Sequence, residues 1–235
     1  MLKPCFILAR KNSKGLKKKN IYRFDGLPLI AHTIKYAKKS KYVTNVVVST
    51  DDIRIKKISE KYNCDVIYPR PKKFSDDRAS SLAALKHAIL EFEKKYSKIN
   101  FFCYLQVTEP LRPKKILDQC FDYVLNKKYK SAFAGFTFHK NFWIDKDKKS
   151  YKSITPILET SKPRQLRKNI YRADFGVALV SNRNTVINKN SLIQKPFKIV
   201  PYQEYSGHLD IHNKKDILFG EMLKKLNNKI QKYKY

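Results

Sequence analysis

The sequence predicts an α/β domain, a mostly parallel β-sheet covered by helices on both faces. Short apolar, β-rich runs recur through the first 135 residues or so, and stretches of helical period separate them. A length of 235 residues suits one such domain with a full hydrophobic core and leaves room for a small extension.

The first run, Pro4–Ala9, reads as a buried strand and is too short in its apolar part for a signal peptide. Leu29, Ile30, Ile34 and Ala37 then share one helical face, and Pro28 suits the first turn of that helix. Val43–Ser49 and Cys64–Tyr68 are the second and third strands. Leu82, Leu85, Ile89 and Phe92 line a helix before the fourth strand, Phe101–Gln106. Ile116, Leu117, Cys120, Phe121, Val124 and Leu125 line another, following Pro113 and leading to the fifth strand, Ser131–Phe136.

The rhythm breaks between about His139 and Asn169, where aromatics, lysines and prolines give no clear period. An excursion from the core is expected there. Phe175–Val180 and Phe197–Val200 read as further strands. A last amphipathic helix from about Asn213 carries Ile217, Met222, Leu223 and Leu226, and ends in a basic tail from Lys224 to Tyr235.

Lysine and arginine together number 51 against 20 acidic residues, a formal net charge of +31. Such a balance ordinarily points to nucleic acid or an anionic surface. Only 10 of those cations are arginine, however, and the 41 lysines are spread over nearly every expected helix and loop. That spread fits solvated outer faces and an anionic substrate better than a specific nucleic-acid partner. No apolar run reaches the roughly 18–20 residues needed to span a bilayer, so no membrane partner is expected. Cys5, Cys64, Cys103 and Cys120 form no CxxC or Cys/His cluster, and free thiols in a reducing cytoplasm are the natural reading.

In open α/β sheets ligands bind beyond the carboxyl ends of the strands, so the loops there are the ones to read for chemistry. After the first strand comes Ala9-Arg10-Lys11-Asn12-Ser13-Lys14-Gly15-Leu16-Lys17-Lys18-Lys19-Asn20. Backbone N–H groups and a small hydroxyl beside several cations can wrap a polyphosphate. The spacing is not that of a P-loop, and a lysine-rich surface loop is the plain alternative. Asp51 and Asp52 follow the second strand, where at least one is expected to cap a helix. Arg70 stands between two prolines and could hold an anion or pair with Asp76 or Asp77, and Ser80 and Ser81 lie further on. Gln106 ends the fourth strand. Arg164 and Arg172 suit bidentate carboxylate binding. Asp210 and His212, two apart, would face one side of an extended segment, as a cation site or as a hydrogen-bonded pair.

Together these loops resemble the acylneuraminate cytidylyltransferase family, the CMP-sialic, legionaminic and pseudaminic acid synthetases. Ala9, Arg10, Ser13, Lys14, Gly15, Lys19 and Asn20 match every fixed position of its opening A-R-x-x-S-K-G-x-x-x-K-N. Val48-Ser49-Thr50-Asp51 resembles its V-S-T-D, and Arg70-Pro71 its R-P. Leu105-Gln106, Thr108 and Pro110-Leu111-Arg112 follow its L-Q-P-T-S-P-L-R. The likeness runs from residue 4 to about 216, and the opening motif sets it apart from the KDO-type enzymes, which remain the nearest alternative.

The resemblance implies a Rossmann-like, GT-A-like nucleotidyltransferase sheet that transfers CMP from CTP to a nine-carbon sugar acid. It implies catalytic roles for Arg10, Lys19 and Asp210, and nucleotide binding by Arg10, Ser13, Lys14, Asn20, Arg70, Ser80 and Ser81. The sugar acid would meet Gln106, Arg164, Tyr171 and Arg172. Mg2+ would sit at Asp210 and His212, and the 139–169 excursion would supply homodimer contacts and complete the partner's sugar site. Three departures stand out. Val107 and Glu109 replace the usual proline and serine, His212 stands where the pattern often has a second aspartate, and Asp174 stands where asparagine is usual.

Overall fold

The apolar runs pair into one eight-stranded sheet in a computed structural model that describes residues 1–13, 15–76, 78–126, 128–156, 161–204, 207 and 209–232. Its strands are β1 (Pro4–Leu8), β4 (Asn45–Ser49), β5 (Asp65–Ile67), β6 (Phe101–Leu105), β7 (Ser131–Phe138), β10 (Ile170–Ala173), β11 (Leu179–Asn182) and β12 (Phe197–Tyr202). Two short pairs stand apart from it, β2 (Arg23–Phe24) with β3 (Leu27–Pro28) and β8 (Trp143–Asp145) with β9 (Tyr151–Ser153). The order is β5-β4-β1-β6-β11-β7, with β12 along the far edge of β7 and β10 continuing the β11 side. β5, β4, β1 and β6 run parallel, as do β7 and β12, whereas β11 and β10 are antiparallel to their neighbours.

Alternation sends successive side chains to opposite faces of the sheet, and each face has its own core. Cys5, Ile7, Val46, Val48, Cys103 and Leu105 face the helices α1 (Leu29–Ala37), α2 (Ile53–Lys61) and α4 (Ile116–Asn126). Phe6, Val47, Phe102 and Tyr104 face α3 (Ser81–Lys95) and the short α5 (Arg183–Ile187). Phe6 is fully buried, with its ring edge-on to Phe92 at 5.9 Å and to Phe102 at 6.1 Å between centroids. Burial of such a ring contributes about 1.5–3 kcal/mol. The four cysteines are free, three of them buried.

The structure departs from the sequence reading in three places. The strand expected at Phe175–Val180 begins later, because Asp174 to Val177 form a turn closed by the Val177 N–H on the Asp174 carbonyl at 3.0 Å. Ile170–Ala173, at the end of the aperiodic stretch, is instead a strand on β7. Within 139–169 the hairpin β8–β9 is largely exposed on both faces, which is why its sequence carries no period. The final helix, α6 (Lys214–Lys232), packs through Ile217 and Gly220, the latter close against Phe24 and Leu209. Met222 and Leu226, expected on its apolar face, are 68% and 52% exposed. A single buried stripe one helix wide leaves no room for them.

Candidate active site

β1 lies between β4 and β6, so the loops that leave β1 and β6 at their carboxyl ends frame the crevice where the strand order reverses. A cavity of about 410 Å³ opens there. Arg10, Ser13, Gly15, Lys19 and Asn20 line it from the first loop; Arg70, Ser80 and Ser81 come from between β5 and α3; Gln106 and Thr108 follow β6; His212 closes it. Lys14, expected among the nucleotide-binding residues, lies outside the described residues.

The first loop is fixed by its own polar groups. The buried Asn20 amide donates to the Arg10 carbonyl at 2.8 Å, and the Arg10 guanidinium donates to the Asp76 carbonyl at 2.8 Å. Lys11 N–H reaches an Asp51 carboxylate oxygen at 2.7 Å, tying the loop to the end of β4. Gly15 runs against the His212 backbone, where an added Cβ would lie 2.3 Å from the carbonyl oxygen. No larger residue fits that approach.

Cations gather where a polyphosphate would lie. Lys19 Nζ donates to the Ile211 carbonyl at 3.0 Å. Burial holds its ammonium below the ordinary value, with Asp210 and Glu109 pulling the other way. Arg70 is 4% exposed; its Nε donates to Ser75 at 3.0 Å, and Asp51 stands 4.0 Å away. Burial lowers its pKa as well. An anion would relieve the desolvation of both groups. Among the described residues Arg70 meets Ser75, Asp51 and the Ser49 carbonyl rather than the Asp76 carboxylate, and Asp77, its other expected partner, lies outside the described residues. Of the two aspartates after β4, Asp52 caps α2, accepting from Arg54 N–H at 2.8 Å. Ser80 does the same for α3, accepting from Ala83 N–H at 3.1 Å.

The expected sugar-side residues are more scattered. Gln106 lines the cavity, whereas Tyr171 lines a separate hollow of about 610 Å³ with Thr137, Asn169 and Glu204. Arg172 already grips a carboxylate, its Nε and Nη2 donating to Asp174 at 2.6 and 2.9 Å, so its fork is not open to a substrate in the way its sequence suggested. Arg164 opens an exposed 3-10 turn, Arg164–Leu166, beyond the cavity wall.

Asp210 and His212 face the same side, with His212 Nε2 and Asp210 Oδ2 at 2.8 Å. Among the described residues no three His, Cys, Asp or Glu side chains converge on a metal position. A hard cation such as magnesium is held by one or two carboxylates plus substrate phosphates and water, and an imidazole suits it poorly. Asp210 fits that description. His212 fits a partner to Asp210 better than a ligand.

Glu109 went unassigned in the sequence reading, its only signal being that it replaces a serine. Glu109 is 9% exposed, and both carboxylate oxygens lie over Gly176, where an added Cβ would come within 2.3–2.4 Å. Arg112 stands 3.9 Å away, but its N–H groups go to Val177, Gln106 and Gly176 carbonyls and to Thr33. Burial pushes the Glu109 carboxyl up to about 7, against the pull of Arg112 and with Asp210 and Asp174 adding to the rise.

The cytidylyltransferase family model matches residues 5–231. The chain is 30% identical over 235 residues to a pseudaminic acid cytidylyltransferase of Campylobacter jejuni, covering 95% of this chain and 97% of that protein. It is 29% identical over 214 residues to N-acylneuraminate cytidylyltransferase A of Danio rerio, covering 87% of this chain and 47% of that protein. A solved CMP:2-keto-3-deoxy-manno-octonic acid synthetase complexed with CTP superposes with a TM-score of 0.67 at 16% identity, covering 96% of this chain and 99% of that one. At that identity the likeness bears on the fold.

Proposed function

Because this chain belongs to the acylneuraminate cytidylyltransferase family and is thereby a nucleotidyltransferase, we propose that it transfers CMP from CTP to the anomeric hydroxyl of a nine-carbon 2-keto sugar acid, releasing pyrophosphate. The observation that carries this reading is the convergence of Arg10, Ser13, Lys19, Asn20 and Arg70 on one cavity at the strand-order reversal. The relatives matched over the greater part of this chain are named for pseudaminic and N-acylneuraminic acids, which supports a nonulosonate as acceptor.

In-line transfer at the α-phosphorus needs positioning and charge neutralisation rather than a covalent intermediate. Arg10 and Lys19 would take up the charge that develops on the leaving pyrophosphate. Ser13, Lys14 and the loop N–H groups would hold the phosphates, with Asn20 fixing Arg10 through its carbonyl. Arg70, Ser80 and Ser81 would form the nucleotide side of the pocket, and Gln106 the border with the sugar. Magnesium, when bound, would neutralise phosphate charge, and Asp210 is the residue that would hold it. Arg164, on its exposed turn, would reach a sugar carboxylate only in a second copy or after the segment moves.

A homodimer gives that second copy. Trp143, Ile144, Tyr151, Ile154 and Leu166 are all more than half exposed on the 139–169 segment, apolar side chains that a second copy would cover.

The test is magnesium-dependent pyrophosphate release from CTP with pseudaminic, legionaminic, N-acetylneuraminic and KDO acids. Release with a nine-carbon acid is expected. Release with KDO alone would move the reading to the eight-carbon chemistry, and CTP binding without release from any acid would mark a catalytically impaired member.

A further inference from the structure

The proposed transfer needs an acceptor for the proton of the attacking hydroxyl, and Glu109 is placed to be it. Its carboxylate follows β6 directly behind Thr108, whose side chain lines the nucleotide cavity and whose hydroxyl donates to Glu109 Oε2 at 3.5 Å. Thr108 is also the residue that receives the Asp210 segment, its carbonyl accepting from Ile211 N–H at 2.9 Å. Glu109 thus stands directly behind the cavity wall that Thr108 forms, with Lys19 and Asp210 as its charged neighbours toward the phosphate-binding side and Asp174, held by Arg172, as a further one.

Its lack of strong partners is the second observation. A carboxylate that is nine-tenths buried ordinarily has several short hydrogen bonds. Among the described residues Glu109 has one long one, from Thr108, and Arg112 at 3.9 Å, while Arg112 spends its donors on carbonyls and Thr33. Gly176 leaves the space the carboxylate occupies. A buried carboxylate with spare acceptor capacity beside a reaction centre suits a general base, and such contacts are often long before substrate binds.

We propose that Glu109 is the general base of this enzyme, accepting the proton of the sugar's anomeric hydroxyl. The O–H bond breaks as the proton passes to a Glu109 oxygen. The freed electron pair forms the new bond to the α-phosphorus, and the bond from that phosphorus to the bridging oxygen breaks, its electrons leaving with pyrophosphate. The charged and titratable groups around Glu109 are Arg112 on its own loop, Tyr104 of β6, Lys19 of the first loop, Asp174 after β10, and Asp210. The two carboxylates, Asp174 and Asp210, favour proton uptake by Glu109, the two cations oppose it, and the Tyr104 phenol, pushed up by burial, stays neutral.

This inference rests on the proposed function, and the experiment separates the two. Turnover of CTP and the accepted nonulosonate is followed from about pH 5 to 9 for wild type, Glu109→Gln and Glu109→Asp, with CTP affinity by calorimetry and Mn2+ affinity by EPR. Wild-type kcat should rise with pH to a plateau, and Glu109→Gln should fall about a hundredfold or more without that rise. Glu109→Asp should recover part of the rate together with the rise. CTP and Mn2+ affinities should stay within about twofold throughout, a change of under ~0.5 kcal/mol. A Glu109→Gln enzyme that keeps the rate or the pH rise, or loses only sugar KM or Mn2+ affinity, would overturn the base assignment while leaving the function intact. Silence of the wild type with every acid would overturn the proposed function, and the base with it.

Discussion

Two side chains carry the proposed chemistry, and each makes a separate claim. Arg10 is anchored by its guanidinium to the Asp76 carbonyl and by its own carbonyl to Asn20, so the loop geometry does not depend on its charge alone. Arg10→Ala should lower kcat/KM by about 10²–10³-fold, the size of loss seen when one transition-state donor is removed. Unfolding measured by circular dichroism should move little, and unchanged turnover would remove Arg10 from the phosphate site. Glu109 has a signature in stability as well as in rate. Its folded-state pKa of about 7 stands above the ordinary 4.5. Between those values the folded chain holds a proton that the unfolded chain has released, so stability declines as pH rises through that window. The decline is at most about 3 kcal/mol. Urea unfolding at about pH 5 and pH 8 should show it in the wild type and lose it in Glu109→Gln; equal slopes in both proteins would mean that the carboxyl titrates normally. Arg10 was legible from its motif. Glu109 was visible only as an odd residue in a familiar run, since burial depends on Gly176 some 67 positions away, which no local pattern connects to it.

At the scale of elements, caps and core contacts decide which changes matter. Asp52 both caps α2 and forks to Arg54, and those hydrogen bonds hold its carboxyl below the ordinary range. Asp52→Ala should cost about 1 kcal/mol and leave turnover unchanged, because Asp52 is not among the residues that line the cavity. Asp52→Asn, which can still accept from the Arg54 N–H, should cost less in the same denaturation series. Gly176→Ala tests the turn before β11. Its Cβ would enter the space of the Glu109 carboxylate, so about 1–3 kcal/mol should be lost in the wild type and much less in a Glu109→Ser background. Equal losses in both backgrounds would show that the backbone, not the carboxylate, sets the limit. The five runs were legible because each centres on apolar residues that both faces of the sheet can cover, with Asn45, Asp65 and Ser131 only at the opening positions of their strands. β11 was misplaced and β10 missed for a related reason. Ile170–Ala173 pairs through its backbone at an edge, with Tyr171 and Arg172 left exposed, so its side chains carry no strand pattern.

For the whole molecule, charge and apolar surface pull in different directions. A net charge of +31 opposes self-association, yet the exposed aromatics of the 139–169 segment favour it. The proposed homodimer should appear as twice the 27.7 kDa chain mass in light scattering at moderate salt. Trp143→Glu should return it to monomer and reduce turnover. A fully active monomer would remove the excursion from the sugar site. The even spread of lysine was readable from the sequence as solvated surface. Whether the excursion meets another chain was not, because an exposed hairpin and an interface hairpin share one composition.

The central claim, CMP transfer at the crevice between β1 and β6, is tested most directly by 31P NMR of the protein with CTP, magnesium and pseudaminic or another nonulosonic acid. The expected result is loss of the triphosphate resonances with equal growth of pyrophosphate and one new phosphodiester signal, dependent on the sugar and absent with Arg10→Ala. Pyrophosphate accompanied by free CMP, or no reaction with any nonulosonate despite saturating CTP, would contradict it.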